Sequence, residues 1–548
     1  MFTLQRRTLF HQIKLFGINN STLRDYHHSL KDLASIQRGK SITSASQEPS
    51  SPSVINPTSP EAKESRKIVI IGGGAAGLMA ALSAQSVAIQ QLRKKQVQQP
   101  IEIILLERKP QCGRKILMSG GSRCNVIPHE SKWPLNNEEI SDDLDLRYFT
   151  RKPNMLLQVL KTWPIEKQRE FFEKELKIKL ELEKESGKYF PETNDAKDVL
   201  NGFLNYISRK NTDRVKVTIQ TNCDVQGLTT RDSNWTVSYS ENGDVKHIHS
   251  EAIILSTGGL SVINEDGSGI KLLKQLGHDI VPLYPALTPL ASNPEIKTLH
   301  KELSGLTIPN VLVTVYRIEN GEKQLVYQST ETKGFLFTHA GYSGPSVLNA
   351  SHATIPGVTL SAAIHTRPSF DVHTSKSDIS DLIHRGQSTE QLNVEVNWTP
   401  DISPREWQQK LLEAKEGGSK IILKNFIHKN SEPNFLPSRL AQLITDSVGL
   451  SDTPVSRLSI EQRNLIIERL VSYPLKVGGN LGFKKAEVTG GGVDLSQVHT
   501  NTLESNVQKN LFICGEALDV FGCIGGFNFA WAWISGRLAG MSSIQSLK

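Results

Sequence analysis

The sequence predicts an α/β protein whose three-layer, mainly parallel sheet is interrupted by a long insertion, first β-rich and then helical. Three observations predict it. Lys67–Ile71 is a short, solidly apolar run, followed at once by Gly72, Gly74 and Gly77 in G-x-G-x-x-G spacing and by a helical stretch. A second apolar run, Ile101–Leu106, ends in an acid, Glu107. The same style returns near the C-terminus, where Leu511–Cys514 leads into Gly515-Glu516 and a glycine turn before a helix.

Solid apolar runs of this length are what parallel strands buried on both faces show. Gly72 permits the tight turn, Gly74 lets backbone approach a pyrophosphate, and Gly77 lets helix pack closely on strand. The helix opening at Ala75 and Ala76 offers free N–H groups and a positive dipole to phosphates. Glu107 is placed to accept hydrogen bonds from ribose hydroxyls. It stands 30 residues past Gly77, where about 20 is usual. The intervening segment reads as an overlong crossover helix plus loop.

The chain has 548 residues and a net charge of +7. Residues 1–60 carry +4 of that charge, which leaves the rest near neutral. The excess therefore points to a basic leader and argues against nucleic-acid binding. Residues 1–40 read as an organellar presequence, mitochondrial in preference to plastid, with a cytoplasmic chain as the alternative. Residues 41–65 read as a Ser/Pro-rich linker. No apolar run is long enough for a membrane span. Cys112, Cys124, Cys223, Cys514 and Cys523 show no C-x-x-C spacing, so neither a disulfide scaffold nor a metal site is expected.

Further along, Gln111–Val126 holds three glycines and three cations, Arg114, Lys115 and Arg123, with no acid. It reads as a loop running past a dinucleotide, its cations available to phosphate or to a substrate anion. Pro153–Leu176 reads as one helix, with strands near Val215–Ile219 and Trp235–Tyr239. Val225 falls in a stretch suited to run beside an adenine. Ala252–Leu255 is another buried strand, ending in Ser256-Thr257-Gly258-Gly259, where a dinucleotide would next meet backbone.

Residues 286–402 turn β-rich, and Gln391–Trp398 alternates strictly between apolar and polar, the mark of a half-buried strand. His339 and Tyr342 precede Pro345, at the expected first turn of a helix, and are candidate proton donors. Residues 403–487 read as helical, with capping boxes at Ser403/Glu406 and Ser459/Gln462. The dinucleotide domain thus spans 66–285 and 488–548. At its end Glu516 suits a ribityl hydroxyl, and the helix N-terminus at Gly525–Asn528 suits the electron-rich edge of a reduced flavin. Trp531 and Trp533 read as core.

Four segments, GRKILMSGGSRCNV (Gly113–Val126), FTHAGYSGP (Phe337–Pro345), VTGGGVDL (Val488–Leu495) and CGEALDVFGCIGGFNFAWAWISG (Cys514–Gly536), occur in this order. Together they resemble the BaiN/YhiN-type FAD-dependent oxidoreductases. The resemblance runs from Arg66 to the C-terminus. It implies a glutathione-reductase-like Rossmann domain binding FAD, broken by a β-barrel-like part and a helical part. By position it gives Gly72, Gly74, Ala75, Ala76 and Gly77 to the pyrophosphate and Glu107 and Arg108 to the ribose. Arg114, Lys115, Gly121, Arg123, Cys124, Asn125, Val225, Thr257, Gly258 and Gly259 would line the cofactor. Glu516, Asp519, Gly525, Gly526, Phe527 and Asn528 would reach the ribityl chain and ring. One departure is visible: after Gly259 the chain runs LSVINEDGSGIKLL, where the family has a Tyr-Pro pair.

The resemblance implies flavin-mediated hydride transfer on a small organic substrate, with NAD(P)H as reductant. The cofactor would supply the chemistry and the protein orientation and electrostatics. With no second strand–GxGxxG–helix unit, a nicotinamide would dock transiently. The alternatives are an oxidase using oxygen and a non-catalytic flavin-binding protein. Cys124 beside Arg123 is a candidate reactive thiol.

Overall fold

The computed structural model describes residues 65–134, 147–261, 266–293, 302–319, 321–329, 331–355, 391–433 and 435–547. The leader and most of the linker lie outside them. Five strands, β1 (Arg66–Ile71), β2 (Ile101–Glu107), β3 (Val215–Thr221), β4 (Ala252–Leu255) and β5 (Leu511–Ile513), form one all-parallel sheet in the order β5-β4-β1-β2-β3. Ile68, Val69 and Ile70 are fully buried because both faces of the sheet are covered. An antiparallel meander, Cys223–Arg231, Asn234–Glu241 and Asp244–Ser250, supplies one covering layer.

Helices α1 (Ala75–Arg93) and α4 (Phe527–Gln545) supply the other. The expected overlong crossover is real: α1 continues to Arg93 before the loop to Pro100. Both helices are apolar nearly all round, as helices inside a layered core must be. They approach closely through small residues. A Cβ added at Gly536 would stand 2.3 Å from the Ala76 carbonyl oxygen, and one at Gly540 2.2 Å from that of Ala80.

A second hydrophobic core, from Leu290 to Leu475, lies apart from the first. Around it an antiparallel sheet runs in the order Tyr473–Leu475, Gln391–Asn397, Thr307–Glu319, Lys333–Thr338, Gly341–Ser343, Leu290–Ser292 and Val477–Asn480, with Glu322–Gln328 also on Thr307–Glu319. Its two end strands are separated in sequence by Lys476 alone, so one continuous segment joins the two edges of the sheet. The region read as purely helical therefore ends in two strands. Four helices, Pro404–Glu416, Leu423–Asn430, Ser438–Asp446 and Ile460–Val471, pack on this core. Both expected capping boxes are formed. No helix among the described residues is long and apolar enough to cross a membrane.

Two local expectations need correction. Pro153–Leu176 is two helices, α3 (Pro153–Leu160) and Ile165–Lys174; Pro164, lacking an N–H, cannot continue the first. Gln111–Val126 is not all loop, because Arg114–Ser122 forms a helix, α2, broken by left-handed Gly120 and Gly121. Its apolar Ile116 is fully buried and anchors the turn.

The α1–α4 contact leaves no room for a side chain. Gly540→Leu should destabilise the fold by about 2–3 kcal/mol or more through overpacking, read from the midpoint of denaturant unfolding. An unchanged midpoint would show that the helices are not locked together here.

Candidate dinucleotide and flavin site

The glycine turn is built by close approach. Gly72 adopts φ +102, and its N–H donates to the Leu106 carbonyl (2.8 Å). A Cβ on Gly77 would lie 1.9 Å from the Gly72 carbonyl oxygen, so only glycine lets α1 begin against the strand end. Ser256, just past β4, donates from Oγ to the carbonyls of Ile71 and Gly72, both at 2.9 Å. Gly74, which caps α1, faces open space: nothing lies within 4 Å of where its Cβ would be. Bare backbone, a helix N-terminus and open space together form a phosphate cradle.

A cleft opens beside this turn, lined among others by Gly72, Glu107, Val225, Thr257 and Gly258. The Glu107 carboxylate accepts from the Gly73 N–H and the Lys109 N–H, both at 2.7 Å. These bonds fix its rotamer and leave lone pairs for ribose hydroxyls. Arg108 is ion-paired with Asp266 at 2.6 Å across the same cleft. Burial would raise the Asp266 carboxyl, but Arg108 and the Ser268 N–H outweigh it and hold the value at about 2. The Thr257 hydroxyl at this cleft is buried with no partner.

At the far end, Lys115 of α2 is ion-paired with Glu516 and donates to Ser261 Oγ (2.6 Å). Glu516 also accepts from the Thr489 N–H (2.9 Å) and Ser261 Oγ (2.8 Å). Thr489 and Ser261 are site residues that the sequence reading missed. Asp519 is buried, and its Oδ2 has no hydrogen-bond partner. Burial pushes its carboxyl up to about 7 against the opposing pull of Arg151.

The glycine turn before α4 packs on Asn125–Pro128. Gly526 adopts φ +97, and a Cβ there would stand 2.8 Å from Asn125 Oδ1, which is buried and unpartnered. No side chain caps α4. The Asn528 amide is spent on the Gly522 backbone, bonding its N–H and its carbonyl at 2.8 Å each. Phe527 is buried, with Trp133 stacked on it and the Tyr148 ring edge-on. Trp531 and Trp533 are core as expected. Their indole N–H groups also tie α4 to the Gly515 carbonyl (3.0 Å) and the Val126 carbonyl (2.9 Å).

The structure does not assemble the three candidate catalytic groups. Cys124 is fully buried, and burial pushes its thiol up to about 12, with Ser119 only partly opposing. The expected activation by Arg123 fails because that guanidinium turns away onto Phe190 and pairs with Glu183 and Asn194, each at 2.9 Å. Tyr342 is buried in the second core against Phe335 and Phe337, and burial raises its phenol. His339 sits exposed on the turn between Lys333–Thr338 and Gly341–Ser343.

Another feature was invisible in the sequence because its members are far apart. Lys132 feels the charges of Lys333 and Arg147, Lys188 those of Lys333 and Lys132, and Cys523 those of Lys333 and Arg147. Arg147 and Lys333 pair with Glu331. The Arg147 carbonyl accepts from the Cys523 N–H (2.8 Å), and its guanidinium lies 5.8 Å from the Phe527 ring centre. Burial lowers both Lys132 and Lys188, and the neighbouring cations lower them further.

A G-x-G-x-x-G turn, an acid ending β2 and a second uncapped helix at the far end define a flavin-dinucleotide oxidoreductase fold. The unpartnered Thr257, Asn125 and Asp519 atoms are polar groups that FAD can satisfy, so the residues fit that cofactor. The chain belongs to the family described as the HI0933-like protein Rossmann domain, which matches residues 66–542. It is thereby an FAD-dependent oxidoreductase. It is 26% identical to a ribosomal RNA dihydrouridine synthase of Escherichia coli (strain K12), over 85% of this chain and 95% of that one. It is 25% identical to a 3-dehydro-bile acid delta(4,6)-reductase of Clostridium scindens (strain ATCC 35704 / DSM 5676 / VPI 13733 / 19), over 87% and 99%. Among solved structures it resembles an open flavocytochrome c3 fumarate reductase, with 13% identity, TM-score 0.39 and coverage of 88% of this chain and 79% of the other.

Two outcomes test this site. Hydrogen bonds to a charged group contribute about 1.5–3 kcal/mol, so Glu107→Gln should weaken FAD binding by about 10- to 100-fold. Quenching of flavin fluorescence on titration measures this, and unchanged affinity would remove Glu107 from the ribose. For Asp519, the folded value lies above the ordinary carboxylate value. The folded state therefore holds the proton more tightly, and its stability falls as pH rises from about 4 to about 7. Asp519→Asn removes that dependence, so its gain in apo-protein Tm over the unaltered chain should grow from about pH 5 to about pH 8. A gain independent of pH would show that the acid is ionised throughout.

Proposed function

We propose that this FAD-dependent oxidoreductase adds hydride to a carbon–carbon double bond conjugated to a carbonyl, and that the bond is C5=C6 of uracil within an RNA. One observation carries the bond type: two relatives of different substrate class, each matched over almost its whole length, are named for reducing such a bond. In a uridine the double bond is conjugated to the ring C4 carbonyl; in a 3-oxo-4,6-diene it is conjugated to the C3 ketone. RNA is favoured because a second relative, from Haemophilus influenzae (strain ATCC 51907 / DSM 11121 / KW20 / Rd), is also a ribosomal RNA dihydrouridine synthase.

FAD, when bound, would supply hydride transfer from NAD(P)H to one carbon of the double bond. The second carbon would take a proton from solvent, so the substrate gains two hydrogens in all. The chain's own residues bind and orient. The Gly72–Gly77 turn and α1 hold the pyrophosphate, Glu107 the ribose, and the N-terminus of α4 favours negative charge at the 525–528 turn. Lys115, clamped by Glu516 and Ser261, fixes the wall between these two ends.

The reading is tested by incubating the FAD-loaded protein anaerobically with NADH or NADPH and either ribosomal RNA transcript or a 3-oxo-4,6-diene steroid. Dihydrouridine detected by nucleoside mass spectrometry, with one nicotinamide oxidised per base reduced, is the expected result. Reduction of the steroid with no change in the RNA would overturn the RNA assignment. Reduction of neither would overturn the bond type.

A further inference from the structure

We propose that Asn349, a residue of the inserted part of the chain, is a positioning residue for the flavin: it holds the turn before α4 so that the N–H groups there meet the electron-rich edge of the bound cofactor. This rests on the reading of that turn as the seat of the flavin's edge, and not on which substrate is reduced. The turn runs from Gly522 to Gly526, and its first donors are taken one by one by three separate elements. The Gly522 N–H donates to Asn528 Oδ1, at the start of α4 (2.8 Å). The Cys523 N–H donates to the Arg147 carbonyl (2.8 Å). The Ile524 N–H donates to Asn349 Oδ1 (2.8 Å). The next N–H, that of half-buried Gly525, has no partner among the described residues. Gly525 and Gly526 adopt φ +142 and +97. Glycine leaves such backbone free to move, so the shape of the turn must be held by its neighbours. Of the three partners, Asn349 is the one that comes from the inserted part.

Asn349 is itself well fixed. It lies on the short helix Pro345–Ala350 and is 3% exposed. Val347 and Ala350 of that helix are buried in the second core. Ser346 Oγ donates to the Gly334 carbonyl (3.0 Å), and just past the helix Ser351 Oγ accepts from the Thr288 N–H (3.1 Å). Three residues beyond Asn349, the His352 ring packs on Phe149 (4.1 Å between ring centres) and on Phe521 (5.5 Å). Those two rings stand on the paired strands Tyr148–Phe149 and Phe521–Gly522, the second of which leads into the turn. One helix end of the inserted part is thus seated on the flavin-end turn by packing at His352 and by a hydrogen bond at Asn349. A buried amide is costly unless it is bonded, and the Asn349 oxygen is spent on the backbone of the turn. Donors aimed at a developing charge are effective because they are held in place beforehand. Loosening the turn would cost the reduced flavin, with more negative charge at its edge, more than the oxidised one. The reduction potential should therefore fall when the Asn349 acceptor is lost.

The test uses the FAD-loaded full chain and sulfite as a probe. Sulfite adds through its sulfur lone pair to the flavin N5, and the displaced electron pair leaves negative charge at the same edge as reduction does. Asn349→Leu, similar in size but without an acceptor, should weaken sulfite binding about tenfold, the scale of one hydrogen bond to a charged group. The same factor in the two-electron equilibrium is a fall of about 30 mV in the reduction potential. Asn349→Ser, too short to reach Ile524, repeats the test should the leucine variant not fold. His352→Ala removes packing from the same helix end and leaves the amide. It should lower Tm and leave sulfite binding unchanged. If the unaltered chain binds sulfite tightly and both Asn349 variants match it in affinity and potential, the role of Asn349 falls and the seat of the flavin stands. If the unaltered chain binds sulfite no better than free FAD, the seat falls and the positioning role falls with it. An equal loss in His352→Ala would also overturn the proposal, by assigning the effect to the packing of the helix rather than to the Asn349 bond.

Discussion

Everything in the cofactor domain depends on how closely α1 starts against the end of β1. The Gly77 Cα lies against the Gly72 carbonyl with no room for a methyl group, and Ser256 ties that same carbonyl to the neighbouring strand. The turn is thus held from both sides, and Gly74 is left facing open space at the helix N-terminus. Packing on the opposite side repeats the device: Gly536 and Gly540 let α4 lie on the backbone of α1. The helix that begins at the far end of the site is therefore registered against the helix that begins at the near end. The two helix termini stay in fixed relation because Gly77, Gly536 and Gly540 carry no side chain.

Much of this was legible in the sequence. Solid apolar runs marked β1, β2, β4 and β5, and the glycine spacing marked the turn, because burial on both faces and close backbone approach leave few residue choices. Ser403/Glu406 and Ser459/Gln462 were readable as capping boxes for the same reason: the chemistry is local, within four residues. Pro164 was a local signal too, dividing the stretch Pro153–Leu176 that reads as one helix.

What could not be read was set by long-range contacts. Lys115 meets Glu516 across about 400 residues, and nothing near either residue marks the pair. Arg123 follows a glycine pair and looked available, yet Phe190 and Glu183, distant in sequence, capture it. Cys124 looked activated by its neighbour, but its burial is decided by the fold. Total charge carries no positional information either. A near-neutral sum does not reveal that Lys132, Arg147, Lys188 and Lys333 are gathered in one place. The Tyr342 phenol looked like a loop proton donor, whereas its ring fills the core of the inserted sheet.

The joining of this fold to flavin chemistry comes down to whether the chain takes up FAD. The visible absorption spectrum of the purified chain, recorded as isolated and again after reconstitution with FAD and desalting, decides it. A retained, stoichiometric flavin spectrum with bands shifted from those of free FAD is the result expected from these contacts. A chain that is folded by circular dichroism yet stays colourless after reconstitution would contradict them.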